Sequence, residues 1–135
     1  MQAETDQNPA YLGYAQILTG TRDFGKCKTI GFTDNGILLA VVVYNAHDES
    51  NIGISIATIT PKWCTKLVLK TIFRFPFIQL GLNRVTATIN ENNLKSKSLV
   101  ERLGFILEGE LKHYYQTGES AMIYGLLKDD CRWIK

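Results

Sequence analysis

The stretch NLKSKSLVERLGF, residues 93–105, decides the fold of this chain. It reads as a short capped helix, and strand-like segments flank it, with RVTATI (84–89) before it and ILEG (106–109) after it. β-Branched residues in alternation favour a strand, whereas apolar residues three and four apart favour a helix. The pattern therefore predicts a strand, a helix and a strand in succession.

The ends of this helix are marked by residues that commonly begin and end helices. Asn92 or Asn93 can cap its start with a side-chain oxygen. Gly104 follows the last turn, where a left-handed backbone costs glycine least. The apolar face is formed by Leu99, Val100 and Leu103.

The composition is that of an ordinary globular domain. The chain has 135 residues, 45% of them hydrophobic and 21% charged, so we expect one domain over residues 1–135, with residues 1–8 flexible. A net charge of +2 gives no reason to expect a nucleic-acid partner. The apolar run ILLAVVVY is too short to cross a bilayer, and residues 1–10 do not resemble a secretory signal. Three widely spaced cysteines form no metal motif, which predicts reduced thiols, no metal site and a cytoplasmic protein.

The first half of the chain predicts a helix and a hairpin. AYLGYAQIL (10–18) reads as a short helix with Pro9 in its first turn. CKTIGF (27–32) and ILLAVVVYNA (37–46) read as a hairpin, because Asn35-Gly36 accepts the positive φ that a tight turn needs. The second strand does not alternate, so we expect it to be buried on both faces.

The strand NIGISIATI (51–59) leaves two interpretations open. Ile52, Ile54 and Ile56 share one face, whereas Ile59 has the opposite parity. A β-bulge near Ala57 or Thr58 would return Ile59 to that face, and a simple strand end is the alternative.

The second half of the chain predicts a helix over residues 60–83 and a second hairpin. We expect the helix to bend or end near Phe75, because Pro76 lacks an amide hydrogen. FILEGELKHYY (105–115) and SAMIYGLL (120–127) read as the hairpin, with a bulge or bend at Glu108-Gly109. The order of elements predicts an α/β domain, a mixed sheet with helices on both faces.

The run 93–105 also resembles a known signature. The pattern Asn-x-x-Ser, Leu-x-Glu-(Arg/Lys)-Leu-Gly-Phe and Glu-Gly is similar to the C-terminal half of GNAT-family N-acetyltransferases, in the branch that includes ribosomal-protein N-terminal acetyltransferases. The resemblance covers residues 50–127 well and residues 1–49 in outline, where the family's first strand is absent or unrecognisable. It implies a mixed, mostly antiparallel sheet whose central parallel strands splay apart.

The resemblance implies an acetyl-CoA-dependent N-acetyltransferase. Acetyl would pass directly, in a ternary complex, to an amine of a small molecule or a protein N-terminus. The cofactor would lie between NIGISIATI and RVTATI, with its pyrophosphate at the start of the following helix. Ser96 would stabilise the departing thiolate. The expected cofactor contacts are Ala57, Ile59, Trp63, Cys64, Thr65, Lys66, Asn93 and Ser96.

Three positions depart from the family pattern. Cys64 and Lys66 stand where the resembled branch carries glycines, and Val100 stands where a tyrosine is frequent. Lys66 could replace backbone recognition with a charge-assisted contact. The alternative is a catalytically degenerate binding or structural module with weak or no acetyl-CoA binding, and the aromatic C-terminal hairpin suggests a homodimer.

The sequence does not single out a general base. NIGISIATI carries no acidic residue. The candidates nearby are His47, Asp48, Glu49, Glu91 and His113. Turn carboxylates are usually solvated, so a structural role is the commoner interpretation for each of them. Asn93 and Ser96 likewise have a helix-capping interpretation.

Overall fold

A computed structural model describes residues 1–4, 9–21 and 23–135, which form a seven-stranded sheet with helices on both faces. The predicted α/β class is confirmed. In chain order the elements are β1 (Gln2–Glu4), α1 (Pro9–Thr19), β2 (Cys27–Asp34), β3 (Ile37–Asp48), β4 (Asn51–Thr58), α2 (Lys66–Arg74), β5 (Arg84–Asn90), α3 (Leu94–Leu103), β6 (Ile106–Leu111) and β7 (Ala121–Leu127). No helix in the described ranges is long and apolar enough to cross a membrane.

The strands lie in the order β1-β2-β3-β4-β5-β7-β6, and β4–β5 is the parallel pair in an otherwise antiparallel sheet. That parallel pairing is short, from Asn51↔Arg84 to Gly53↔Thr86. Both strands continue beyond it, so they separate. The predicted splayed parallel strands are confirmed.

The first hairpin forms as predicted. Asn35 and Gly36 have φ of 52° and 78°, which is the left-handed turn that this dipeptide favours. The β3 residues 40–44 are buried on both faces of the sheet, because helices cover each side there. The lack of alternation in this strand thus reflects a central position.

Two hydrophobic cores sandwich the sheet. The larger core joins α2, α3 and the C-terminal turns to one face, with Tyr44, Trp63 and Tyr124 among its buried side chains. The smaller core packs α1 through Tyr11 and Ala15 against the other face. Because α1 touches β2, β3 and β4, the opposite end of that face lacks this cover.

The predicted long helix is divided into three parts. Pro61–Trp63 forms a 3₁₀ turn, Thr65 caps α2, and Phe75–Gln79 forms a π turn that contains Pro76. The predicted end of the regular helix near Phe75 is confirmed, since proline removes an amide from the ladder. The apolar stripe of α2 is buried, namely Val68, Leu69, Ile72 and Phe73.

Three expectations at strand ends need correction. A first strand does exist, because Gln2–Glu4 pairs with β2; residues 5–8 of the segment expected to be flexible lie outside the described residues. The register of β4 against β3 runs unbroken from Gly53 to Thr58, so the bulge near Ala57 was wrong and the simple strand end is confirmed. β6 stops at Leu111 instead of continuing to Tyr115, and His113 takes a φ of 54° in the loop.

An ion pair crosses the C-terminal half of the sheet. The Arg84 guanidinium on β5 donates to both carboxylate oxygens of Glu108 on β6, at 2.9 and 2.6 Å. Glu108 lies in the predicted bulge, where the register shifts between Leu107 and Gly109. The pair passes over Gly125 of β7, where a Cβ would meet the Glu108 carboxylate and come within 2.8 Å of the guanidinium. These hydrogen bonds lower the pKa of Glu108.

We expect Gly125→Ala to lower the free energy of unfolding by about 1 kcal/mol, because the new methyl group displaces the ion pair. Urea denaturation measures the change. Gly109→Ala is the matched control, since nothing lies within 4 Å of a Cβ there. In a Glu108→Ala background the effect of Gly125→Ala should shrink, and an undiminished effect would contradict this explanation.

Candidate active site between strands β4 and β5

A cleft opens where β4 and β5 separate. β4 stays paired with β3 as far as Thr58, and β5 stays paired with β7 as far as Asn90, so beyond Gly53↔Thr86 each strand follows a different neighbour. The space between them has a volume of about 850 Å³. Within it, strand edges lack the partner that a sheet normally supplies.

The base of the cleft is tied by polar side chains. The Thr86 hydroxyl donates to Asn51 Oδ1 at 2.5 Å and accepts from Arg84 Nε at 2.9 Å. The Arg84–Glu108 pair continues this network to β6. The network therefore joins β4, β5 and β6 at the level where the parallel pairing ends.

The two sides of the cleft differ in polarity. Strand alternation sends Ile54, Ile56, Ala87 and Ile89 toward the α3 side, where they line the cleft with Leu99, Val100, Leu103 and Phe105 of the α3 region. The residues of opposite parity on the α1 side are polar or small, namely Asn51, Gly53, Ser55, Thr86, Thr88 and Asn90. One side thus suits an apolar chain and the other a hydrogen-bonding group.

Helix α3 brings two predicted site residues to the cleft. Asn93 and Ser96 both line it. Asn93 Oδ1 also accepts from the Ser96 amide at 3.1 Å, so Asn93 is the helix cap, and the alternative cap Asn92 is not. Val100 lines the cleft one turn later and is 6% exposed, so that position supplies no hydroxyl group.

The start of α2 is only partly available to an anion. The Cys64 amide donates to Pro61 O and the Thr65 amide to Trp63 O. Thr65 Oγ1 accepts from the Val68 amide. In the described part of the chain, the Lys66 and Leu67 amides remain without a hydrogen-bond partner. Two orphan amides and the helix dipole still favour an anion here.

Arg102 adds a positive charge near this helix start, and no local sequence spacing indicates that proximity. Burial raises the pKa of the Cys64 thiol, and the Arg102 guanidinium opposes that rise. Arg102 of α3 is therefore within electrostatic reach of Cys64, although 38 residues separate them in the sequence. With a raised pKa, Cys64 is a neutral thiol near pH 7, which does not suit a nucleophile.

The other six predicted contact residues do not line the cleft. The Trp63 side chain is 2% exposed and belongs to the larger core, and Ala57 is buried against α1. Ile59 is 79% exposed beyond the end of β4. Cys64, Thr65 and Lys66 are exposed at the start of α2 and do not line the cleft either.

The carboxylates and histidines considered as bases also lie elsewhere. His47, Asp48 and Glu49 are exposed around the β3–β4 turn. Glu91 accepts from the Ser120 amide at 2.5 Å, which ties the end of β5 to the start of β7. His113 is exposed in the β6–β7 loop.

Asp23, Asn45 and Tyr115 line the cleft and were not singled out from the sequence. Asp23 and Tyr115 lie in loops, and loop residues carry no periodicity that would reveal their neighbours. Burial, assisted by the charges of Tyr114 and Glu119, raises the pKa of Tyr115, so its hydroxyl remains a hydrogen-bond donor at neutral pH.

Solved structures share this fold. An IAA acetyltransferase from Bacillus cereus matches with a TM-score of 0.78 at 11% identity, covering 93% of this chain and 98% of that one. A mutant of the spermidine N-acetyltransferase SpeG from Vibrio cholerae matches with a TM-score of 0.76 at 14% identity, covering 95% and 94%. The chain has the GNAT acetyltransferase fold.

The resembled branch is also represented among GNAT folds of known structure. The ribosomal-protein-S5-alanine acetyltransferase from Vibrio fischeri matches with a TM-score of 0.67 at 20% identity. The match covers 78% of this chain but only 64% of that protein. No family model and no curated protein matches the sequence. At these identities the likeness establishes the GNAT fold, and function is argued from the site.

We expect Asn93→Ala to lower the free energy of unfolding by about 1 kcal/mol, because the Ser96 amide at the start of this GNAT-fold helix loses its cap. Asn92→Ala is the control, since Asn92 is exposed and does not cap the helix. Thermal and urea unfolding measure both. Equal effects of the two substitutions would contradict the assignment of the cap.

Proposed function

We propose that this protein is an N-acetyltransferase that transfers acetyl from acetyl-CoA to an amine. The observation that carries the proposal is the open β4–β5 cleft, apolar on one side and polar on the other, with Ser96 and Asn93 at its α3 edge. Such a cleft offers separate surfaces to an acyl donor and to an amine. The fold shared with several acetyltransferases supports the same reaction class.

The apolar side fits the pantetheine arm of the donor. Ile54 and Ile56 stand on β4, and Leu99 faces the same cleft from α3. Beyond Gly53, the edge of β4 that faces β5 has no strand partner, so its backbone groups can hydrogen-bond the amides of the arm. The backbone, and not the side chain, of Ala57 would take part, because that side chain packs against α1.

Ser96 fits the position of a leaving-group stabiliser. Acetyl-CoA supplies a thioester, and the amine nitrogen attacks its carbonyl carbon as the carbon–sulfur bond breaks. The Ser96 hydroxyl would donate a hydrogen bond to the departing sulfur, while the proton lost by the amine leaves through water in the open cleft. No acyl-enzyme is formed, because the reactants meet directly.

The phosphates would bind at the start of α2 through cations as well as amides. Cys64 and Lys66 stand where glycines would give the backbone more conformational freedom. The Cys64 and Thr65 amides already donate hydrogen bonds to backbone carbonyls. Two orphan amides remain at Lys66 and Leu67. The Lys66 side chain and Arg102 supply the charge that the missing amides would otherwise provide.

The rival proposal, a degenerate module without chemistry, gains no support from the similar structures described above, each of which is an acetyltransferase. Isothermal titration decides between the two. We expect acetyl-CoA to bind, with thiol release when an amine is added. The absence of any heat at high micromolar acetyl-CoA would overturn the proposed function.

We expect Lys66→Ala to weaken acetyl-CoA binding about fivefold, because an exposed phosphate contact is worth about 1 kcal/mol. This loss of affinity should diminish as the salt concentration is raised, since screening already weakens the attraction between Lys66 and the phosphates. Titration calorimetry at two ionic strengths measures both effects.

Lys70→Ala is the matched control for Lys66, because Lys70 lies one turn further along the same face and should leave the affinity unchanged. Tighter binding by the double variant Cys64→Gly/Lys66→Gly would contradict compensation by the lysine. It would show instead that glycine at positions 64 and 66 favours acetyl-CoA binding more than cysteine and lysine do.

We expect Ser96→Ala to lower kcat about 100-fold with little change in KM for acetyl-CoA, because the hydrogen bond strengthens only as the thiolate forms. Ser96→Thr keeps the hydroxyl and should recover most of the activity. If Ser96 only helps to begin the helix, its alanine variant would lose stability and keep its kcat.

A further inference from the structure

Asn45 occupies a defined position at the floor of the cleft, on the polar α1 side. It is the last β3 residue in regular register with β4, where it pairs with Gly53, and the register shifts before Asp48. Ala46 follows with a φ of 52°, within the irregular stretch of β3 before the pairing resumes at Asp48↔Asn51. Gly53 is also the β4 residue at which the pairing with β5 ends. Asn45 therefore lies beside the point where the cleft opens.

The orientation of the Asn45 amide follows from its contacts. Nδ2 donates to the Phe24 carbonyl oxygen at 3.1 Å, which identifies the opposite atom as the oxygen. That oxygen lies 2.7 Å from the point where a Cβ of Gly53 would stand. It occupies this place only because residue 53 has no side chain. Asn45 thus presents a fixed hydrogen-bond acceptor at the floor of the cleft.

The described residues that line the cleft carry charge of one sign. Among those residues, Asp23 is the one acidic side chain, and none is lysine, arginine or histidine. One Asp23 oxygen accepts from the Gly25 amide at 2.7 Å, and Asp23 is exposed. The remaining lining groups on this side are neutral amides and hydroxyls. A ligand with one positive charge matches this set, whereas a polyamine would need several carboxylates.

We propose that Asn45 and Asp23 form the acceptor-recognition site, in which the fixed Asn45 oxygen and the Asp23 carboxylate receive the ammonium group of a singly charged primary amine. The inference rests on the proposed function for its biological meaning, although amine binding is measurable without acetyl-CoA. Asn45 is a specificity-determining residue: it positions the nitrogen before the nitrogen loses its proton. An ammonium group has three donors, so it can donate to more than one acceptor.

The test uses n-butylamine as the ligand and n-butanol as its uncharged counterpart of similar shape. The side-chain amide signals of Asn45 are followed by ¹H–¹⁵N NMR at pH 7 in the full chain, without acetyl-CoA. We expect butylammonium to shift the Asn45 signals in a saturable way and butanol to leave them unchanged. Equal shifts with both ligands, or butylammonium shifts confined to residues outside the cleft, would overturn the proposal.

Two variants separate the contribution of Asn45 to butylammonium binding from that of Asp23. We expect Asn45→Leu to weaken butylammonium binding about tenfold, because a charge-assisted bond is lost. Asp23→Asn should weaken it about threefold at low salt, and because Asp23 is exposed this change does not endanger folding. Asn92→Ala, on an exposed turn, is the control. The assignment would be refuted if Asp23→Asn bound butylammonium with unchanged affinity and if Asn45→Leu, while folded, also bound it with wild-type affinity.

A diamine tests whether the site prefers a ligand with one positive charge. We expect 1,4-diaminobutane to bind within about twofold of butylamine, because the described lining holds one carboxylate. Binding more than tenfold tighter would overturn the restriction to a singly charged acceptor. Failure of acetyl-CoA titration would remove the acetyltransferase proposal and leave these amine measurements interpretable, so the two proposals fail separately.

Discussion

The parallel contact between β4 and β5 is the constraint on which the rest of this structure depends. It holds from Asn51↔Arg84 to Gly53↔Thr86 and then ends, although both strands continue. β4 is held by β3 and β5 by β7, so neither strand can follow the other once they diverge. The unpaired edges that result are costly in a sheet interior, since buried backbone groups need partners. A ligand that supplies those partners is the physical complement of such a cleft.

The separation is stabilised from both directions. At its base, the Thr86 hydroxyl joins Asn51 to Arg84, and Arg84 reaches Glu108 across the glycine of β7. On the helix side, α3 packs Val100 and Leu103 into the larger core. Trp133 and Arg132 donate to the carbonyls of Leu103 and Arg102 at the end of that helix. The helix that carries Ser96 is therefore held at its start by a cap and at its end by the C-terminal turn.

The division of the cleft into an apolar and a polar side comes from strand alternation alone. β4 and β5 each send one parity toward α3 and the other toward α1. On the α1 side the cover of α1 stops at β4, so the polar parity of β5 faces open space. The gap therefore has an apolar side and a polar side. At the start of α2, Lys66 and Arg102 supply positive charge.

Much of the fold was predictable because its signals are local. The Asn35-Gly36 turn, the apolar stripe of α2, the break at Pro76 and the left-handed Gly104 all depend on residues within one turn or one hairpin. Predictions failed where a neighbouring segment determines the structure. The register of β4 is set by β3, and the end of β6 is set by the loop before β7. Of the predicted site residues, Asn93 and Ser96 reach the cleft, because they belong to a locally encoded helix.

The sequence by itself determined the order of elements after β1, the apolar faces of the helices and the resemblance carried by residues 93–105. Only the tertiary structure decided which polar groups meet at the cleft. Asp23 and Asn45 come from a loop and a strand end that meet at the cleft, whereas Arg102 of α3 lies near Cys64 at the start of α2. Both proximities depend on sheet order and helix packing, which no local spacing encodes. It also decided that the Trp63 side chain belongs to the core, because burial depends on what packs above a residue. Local backbone preference fixes elements, whereas long-range packing fixes sites.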